Sequence, residues 1–177
     1  LHGISKDAWN RFSTEGSWYY EIIEAGYKYN FTDIQASLGI HQLAKLDSLN
    51  VARRDIANSY IEKLADLDYI ELPKLHEDLS HSWHLFPIFI DFDNLTVDRN
   101  KFILALESEG IKTSVHYIPL HIHPYYRDKY NYTKTSFPHA YNYYKSEISL
   151  PIYPSMVPKD VEDVVKSIKK LIFYYKR

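Results

Sequence analysis

The 177-residue chain contains no cysteine. Disulfide frameworks, thiolate metal sites and cysteine nucleophiles are therefore excluded. Glycine is scarce, with five residues, which argues against glycine-rich loops of the kind that cradle phosphates. There is no basic surplus: 21 Lys and Arg stand against 23 Asp and Glu, a formal net charge of −2. Broad electrostatic binding to nucleic acid or to an anionic membrane is not expected at that balance. No apolar run approaches the roughly 20 residues of a membrane-spanning helix, and the first residues carry no signal-peptide pattern. Methionine occurs once, at Met156, and the chain opens on Leu1. It reads as a piece of a longer protein. What is abundant is tyrosine, with 17 residues, so surfaces that use phenol hydroxyls are expected. At 45% hydrophobic and 25% charged residues, the composition is that of one globular domain with a real core.

Residues 1–31 carry little periodicity and an aromatic cluster at Trp18-Tyr19-Tyr20. Some thirty residues of loop would be an unusual opening for a free-standing domain. Thr32 and Gln35 have the spacing of a capping box. An apolar stripe begins at Ile34 and Leu38, changes phase near 47–51 and resumes at Ile56, Tyr60 and Leu64. Two abutting helices or one kinked helix ending near Leu67 fit the pattern; a continuous one would reach about 55 Å. Residues 82–91 alternate as a strand, and Pro87 predicts an edge or a bulge there. Asp98 is a helix cap for Phe102, Ile103 and Leu106, and Gly110 ends that helix. A short strand is expected over 111–116, irregular chain over 117–137, a helix over 138–147 and a strand over 148–152. The last helix opens at Pro158 and carries Val161, Val164, Val165, Ile168, Leu171 and Ile172 on one face. Helices alternating with short strands predict a small α+β fold.

The densest polar cluster runs from Val115 to Tyr126 and includes His116, Tyr117, His121 and His123. Three readings compete. The histidines could ligate a metal, although no carboxylate stands at a helical offset from them as metal-binding helices require. They could be loop residues bonded to backbone and water. Or the loop could read sugar hydroxyls or phosphate oxygens, because imidazole and phenol each put a donor on a flat apolar body. A second cluster, Gly26-Tyr27-Lys28-Tyr29-Asn30, precedes the Thr32 cap. An ammonium and an amide beside a helix N-terminus suit an anion. No nucleophile-elbow motif is present, and no acidic residue lies within the aromatic clusters where a glycosidase would need one.

The stretch from Gly26 to Gly39 with Gln42-Leu43 and Lys45-Leu46, then Trp83-His84-Leu85, the run His116-Tyr117-Ile118-Pro119-Leu120-His121, and Leu150-Pro151-Ile152-Tyr153-Pro154 resemble, in order, motifs of the DegT/StrS family of PLP-dependent sugar aminotransferases. The resemblance extends over essentially the whole chain. It implies the small C-terminal α+β domain of a fold-type I PLP-dependent transferase, a short and mostly antiparallel sheet packed with helices, plus a long linking helix. The implied division is a dimer-crossing loop over 1–31, a linking helix or helix pair over 32–68, and the small domain over 69–177. By the same resemblance, the enzyme moves an amino group, usually from glutamate, to a keto group of a nucleotide-linked sugar for polysaccharide or related glycan synthesis, as a cytoplasmic homodimer. Lys28 and Asn30 match cofactor-phosphate contacts made across the dimer, although the family more often has Asn and Arg there. His116 and Tyr117 match substrate contacts, with His121 nearby, and Trp18 and Tyr20 lie at the sugar entrance. Pyridoxal phosphate would be bound mainly upstream of this segment, where the family carries its Schiff-base lysine and the acid paired to the ring nitrogen. No lysine here matches that motif, so the chain alone is expected to be inactive. The reading from another class is a non-catalytic module that binds a nucleotide sugar or a protein.

Overall fold

The computed structural model describes residues 2–5, 20–75 and 79–177. Contacts within the chain divide it into two units, Leu1–Leu46 and Asp47–Arg177.

In the first unit a bridge joins Ile4 to Ile22. Gly26 lies so near Gly3 that a Cβ on it would fall 1.9 Å from the Gly3 nitrogen, and only glycine permits that approach. Helix α1 (Asp33–Leu64) starts in this unit. Its capping box forms as the spacing predicts: the Gln35 N–H donates to the Thr32 hydroxyl (3.3 Å) and the Thr32 N–H to Gln35 Oε1 (3.1 Å). The helix is continuous through the phase change at 47–51. It buries Ile56, Ala57, Tyr60 and Leu64 near its C-terminal end, whereas Ile34, Leu38 and Leu43 are exposed.

The second unit is built on a three-stranded antiparallel sheet, order β1 (Ile70–Glu71), β2 (Phe86–Ile90), β3 (Glu147–Leu150). Helix α2 (Arg99–Ser108) is capped by Asp98, whose Oδ1 accepts from the Lys101 N–H at 2.8 Å. It is followed by Gly110 at φ +83°. Helices α3 (Pro124–Tyr130), α4 (Pro138–Ser146) and α5 (Pro158–Tyr175) complete the unit. The α5 stripe is buried as its spacing predicts. With Phe86, Ile88 and Ile90 of β2, Ile148 and Leu150 of β3, and Phe102 and Leu106 of α2, it forms one hydrophobic core.

Three expectations are corrected. Pro87 lies in the middle strand, not at an edge or a bulge. It pairs with Ser149, whose N–H and C=O are both taken by Ser114 on the far side (2.8 and 3.2 Å). Pro87 therefore occupies a non-hydrogen-bonded position of the β2–β3 pair, and its missing donor faces the side where two-residue β1 does not reach. Residues 111–116 form no strand; the pairing with β3 is the single bridge Ser114–Ser149. The neighbouring rungs are already spent. The Glu147 N–H caps α4 by donating to the Tyr143 carbonyl. Pro151 has no N–H, and its carbonyl accepts from the Tyr60 hydroxyl at 2.9 Å. Residues 117–137 are not all irregular: they contain α3, started by Pro124 and ended by Asn131 in the left-handed region at φ 53°.

Candidate functional site

The polar candidates of the second unit are organised by β3. Its side chains alternate, so Ile148 and Leu150 enter the core while Glu147 and Ser149 share the opposite face. That face is covered as well, since α4 packs against β2 and all four β3 residues are buried. After the Ser114–Ser149 bridge, the antiparallel register carries His116 opposite Glu147. Glu147 no longer has its N–H free for the ladder, and its carboxylate takes the His116 amide instead, at 2.9 Å from Oε2. Oε1 accepts from the Ser149 hydroxyl at 2.5 Å. The same hydroxyl oxygen lies 2.8 Å from His116 Nδ1. The result is a chain of three groups, carboxylate, hydroxyl and imidazole. The carboxylate is fully buried, while the imidazole belongs to a half-buried residue.

Glu147 also acts on its surroundings. The Tyr143 phenol is pushed up from its ordinary value, first by burial and then by the negative charge of Glu147. Tyr143 also packs edge-on against Phe89, with ring centres 4.7 Å apart.

Tyr117 stands beside the imidazole, the two rings edge to face at 4.7 Å, with its side chain 70% exposed. The peptide bond between His116 and Tyr117 is cis. His121 lies in a single 3-10 turn over Leu120–Ile122, between Pro119 and Pro124. It is buried, packs on Phe137 (5.1 Å), and among the described residues its Nε2 has no hydrogen-bond partner. The loop thus presents one anchored imidazole, one exposed phenol and one buried imidazole with an unused nitrogen. Among the described residues, no three His, Asp or Glu are grouped to hold a metal ion. Clefts of about 680, 510 and 440 Å³ in the second unit are lined by other residues.

In the first unit the Lys28 ammonium donates to the Asn30 side-chain carbonyl, and Tyr27 stacks on Tyr29 at 5.2 Å. All four are exposed, as is Tyr20. Trp18 lies outside the described residues. Among the described residues the pair keeps unused donors: two N–H groups of the ammonium and the Asn30 amide.

Glu147 and Ser149 were not singled out from the sequence. The His116 cluster has no acid within it, and its acid comes from 31 positions downstream. The signal that was present is polarity at 147 and 149 between apolar 148 and 150, one polar face on a strand whose residues are all buried.

The family model for DegT/DnrJ/EryC1/StrS aminotransferases matches residues 1–169. The chain belongs to that family. It is 54% identical over 97% of its length to the Methanocaldococcus jannaschii protein MJ1066, which carries no functional description, and covers 45% of that protein. It is 46% identical, again over 97% of its length, to the Bacillus subtilis spore coat polysaccharide biosynthesis protein SpsC, of which it covers 44%. Among solved structures, Streptococcus pneumoniae Spr1654, described as a sugar aminotransferase, superposes in its PMP form with a TM-score of 0.77. The identity is 32%, over 98% of this chain and 43% of that one. The same protein superposes in a PLP form at 0.75. The chain thus spans about half the length of the relatives it matches. Its α+β fold, helices packed on a short antiparallel sheet, is that of the matched portion of Spr1654.

Proposed function

We propose that this chain is the C-terminal part of a PLP-dependent aminotransferase that passes an amino group, from glutamate, to a keto group of a nucleotide-linked sugar destined for a surface polysaccharide or related glycan. The observation that carries the reading is the family match over residues 1–169, joined to the anchored His116–Tyr117 pair. In this reading residues 1–31 are a loop that crosses a homodimer, 32–68 a linking helix and 69–177 the small domain. The exposed face of α1, with Ile34, Leu38 and Leu43, packs on the upstream domain or on the partner subunit. The enzyme works in the cytoplasm.

Lys28 and Asn30 fit the phosphate end of the cofactor. They offer an ammonium and an amide that are exposed and have donors to spare. Pyridoxal phosphate, when bound, supplies the electron sink that lets an amino group move. The lysine that carries it belongs to the upstream part, so the 177 residues alone do not transaminate. This chain's own contribution is binding and orientation. Lys28 balances phosphate charge. The His116 imidazole and the Tyr117 phenol hydrogen-bond sugar hydroxyls and hold the keto carbon in register. His121, buried beneath this loop with an unused nitrogen, backs the same stretch of chain.

The test uses the protein with whatever upstream region its gene encodes. It is incubated with glutamate and a panel of nucleotide-linked keto sugars, and 2-oxoglutarate release is followed. Release that depends on the keto sugar is expected. Tight binding of a nucleotide sugar without release from any amino donor would replace this reading with that of a binding module.

A further inference from the structure

The hydrogen-bond chain from Glu147 through Ser149 to His116 determines more than the position of a ring. A serine hydroxyl has one proton to give. The carboxylate 2.5 Å away is an acceptor, and the Ser149 proton is directed to it. The Ser149 oxygen can then only accept from the imidazole at 2.8 Å. Nδ1 must carry the proton of that contact, and in a neutral imidazole Nε2 is left with a bare lone pair. The second carboxylate oxygen is held by the His116 amide, so the acid cannot swing away without giving up a backbone donor. All three groups stand on the face of β3 and its bridged segment that lies opposite the core.

We infer that Glu147 and Ser149 are positioning residues that keep the proton of neutral His116 on Nδ1 and so present Nε2 as an acceptor for a hydroxyl of the sugar. The role in sugar binding rests on the function proposed above; the tautomer does not. A sugar hydroxyl at this point is read as a donor. An analogue lacking that hydroxyl, or carrying a methyl ether there, is discriminated against, because the bare nitrogen then has nothing to accept. The device also explains why a polar pair occupies a fully buried strand: the carboxylate replaces the ladder partner that β3 cannot supply and uses its other oxygen to orient the ring.

The test is nitrogen-15 NMR of histidine-labelled protein, produced with the upstream region its gene encodes, with the His116 signals assigned from a His116→Gln sample. In the unliganded wild type at neutral pH, Nδ1 should show the shift of a protonated ring nitrogen and Nε2 that of a bare one. The reverse assignment, or an even mixture, overturns the inference, and this arm needs no variant of the relay. Ser149→Ala should abolish the preference while leaving the circular dichroism unchanged, and Ser149→Thr, which keeps the hydroxyl, should restore it. Glu147→Gln can donate to the Ser149 oxygen and should shift population to the Nε2–H form. An unchanged tautomer in Ser149→Ala overturns the proposal. With a keto-sugar substrate, Ser149→Ala should raise KM about tenfold with kcat within about threefold, the size of one misdirected hydrogen bond. If no amino transfer is found while Nδ1 is protonated in the wild type, the function proposed above fails and the positioning role of Glu147 and Ser149 stands.

Discussion

At the scale of single residues, the structure assigns large consequences to a few buried polar atoms. The Tyr60 hydroxyl donates to the Pro151 carbonyl from a fully buried ring. Removing it in Tyr60→Phe leaves that carbonyl without its donor and should cost about 1–2 kcal/mol, read as a lower urea midpoint at unchanged slope. The phenol is pushed well above its ordinary value, by burial first and then by Tyr153 and Asp160. A raised folded-state value means that the native protein holds the proton longer than the unfolded chain. The contribution is therefore complete below about pH 10, where the free phenol titrates, and is lost as pH rises beyond it. Urea midpoints measured from pH 8 to 11 should fall more steeply in the wild type than in Tyr60→Phe. At the loop, His116→Ala combined with Tyr117→Phe, in the protein with its upstream region, should lower kcat/KM for the keto sugar by about 10- to 1,000-fold. That is the range expected for two hydrogen bonds to substrate. An unchanged kcat/KM would remove both residues from the site.

At the scale of elements, local signals marked the starts of α1, α2 and α5, whereas α3 within 117–137 went unread. The Thr32–Gln35 box, Asp98 and Pro158 all stand where their chemistry places a helix start. Asp98→Ala should cost about 1 kcal/mol, seen as a drop in melting temperature without loss of the native spectrum. Strands were less legible. A strand needs partners with free N–H and C=O groups, and residues 111–116 found both flanking rungs of β3 already used, by the α4 cap and by Pro151. Pro87 was misjudged for a related reason. Its tolerance depends on the direction its ring nitrogen faces, and that follows from register rather than from composition. The candidate site followed the same division. His116, Tyr117 and His121 stand close in the chain and could be picked out by residue type, whereas Glu147 and Ser149 joined them through a bridge between distant segments.

At the scale of the whole molecule, the first unit and the front of α1 expose Ile22, Ile23, Tyr27, Tyr29, Phe31, Ile34, Leu38 and Leu43. So much apolar surface, continuous along the chain, is more than isolated exposed leucines account for. The 177-residue chain should therefore self-associate. Light scattering should show species larger than a monomer, and Leu38→Glu with Leu43→Glu should reduce them without lowering the melting temperature. A monodisperse monomer in the unsubstituted chain would count against the proposed packing of this face. Mixed with pyridoxal phosphate, the same chain should give the absorbance of the free cofactor and no borohydride-trapped adduct at a specific lysine. One such adduct would relocate the cofactor lysine into this segment.

Family, the starts of α1, α2 and α5, the α5 stripe and the polar loop were determined by the order of residues alone, because capping, periodicity and motif spacing act over a few neighbours along the chain. Which strand lay in the middle, why the 111–116 segment stopped at one bridge, and which acid reached His116 were decided by the tertiary structure. Each turned on whether a backbone N–H or C=O on one segment was still free when another segment arrived, and that competition has no signature in either segment by itself.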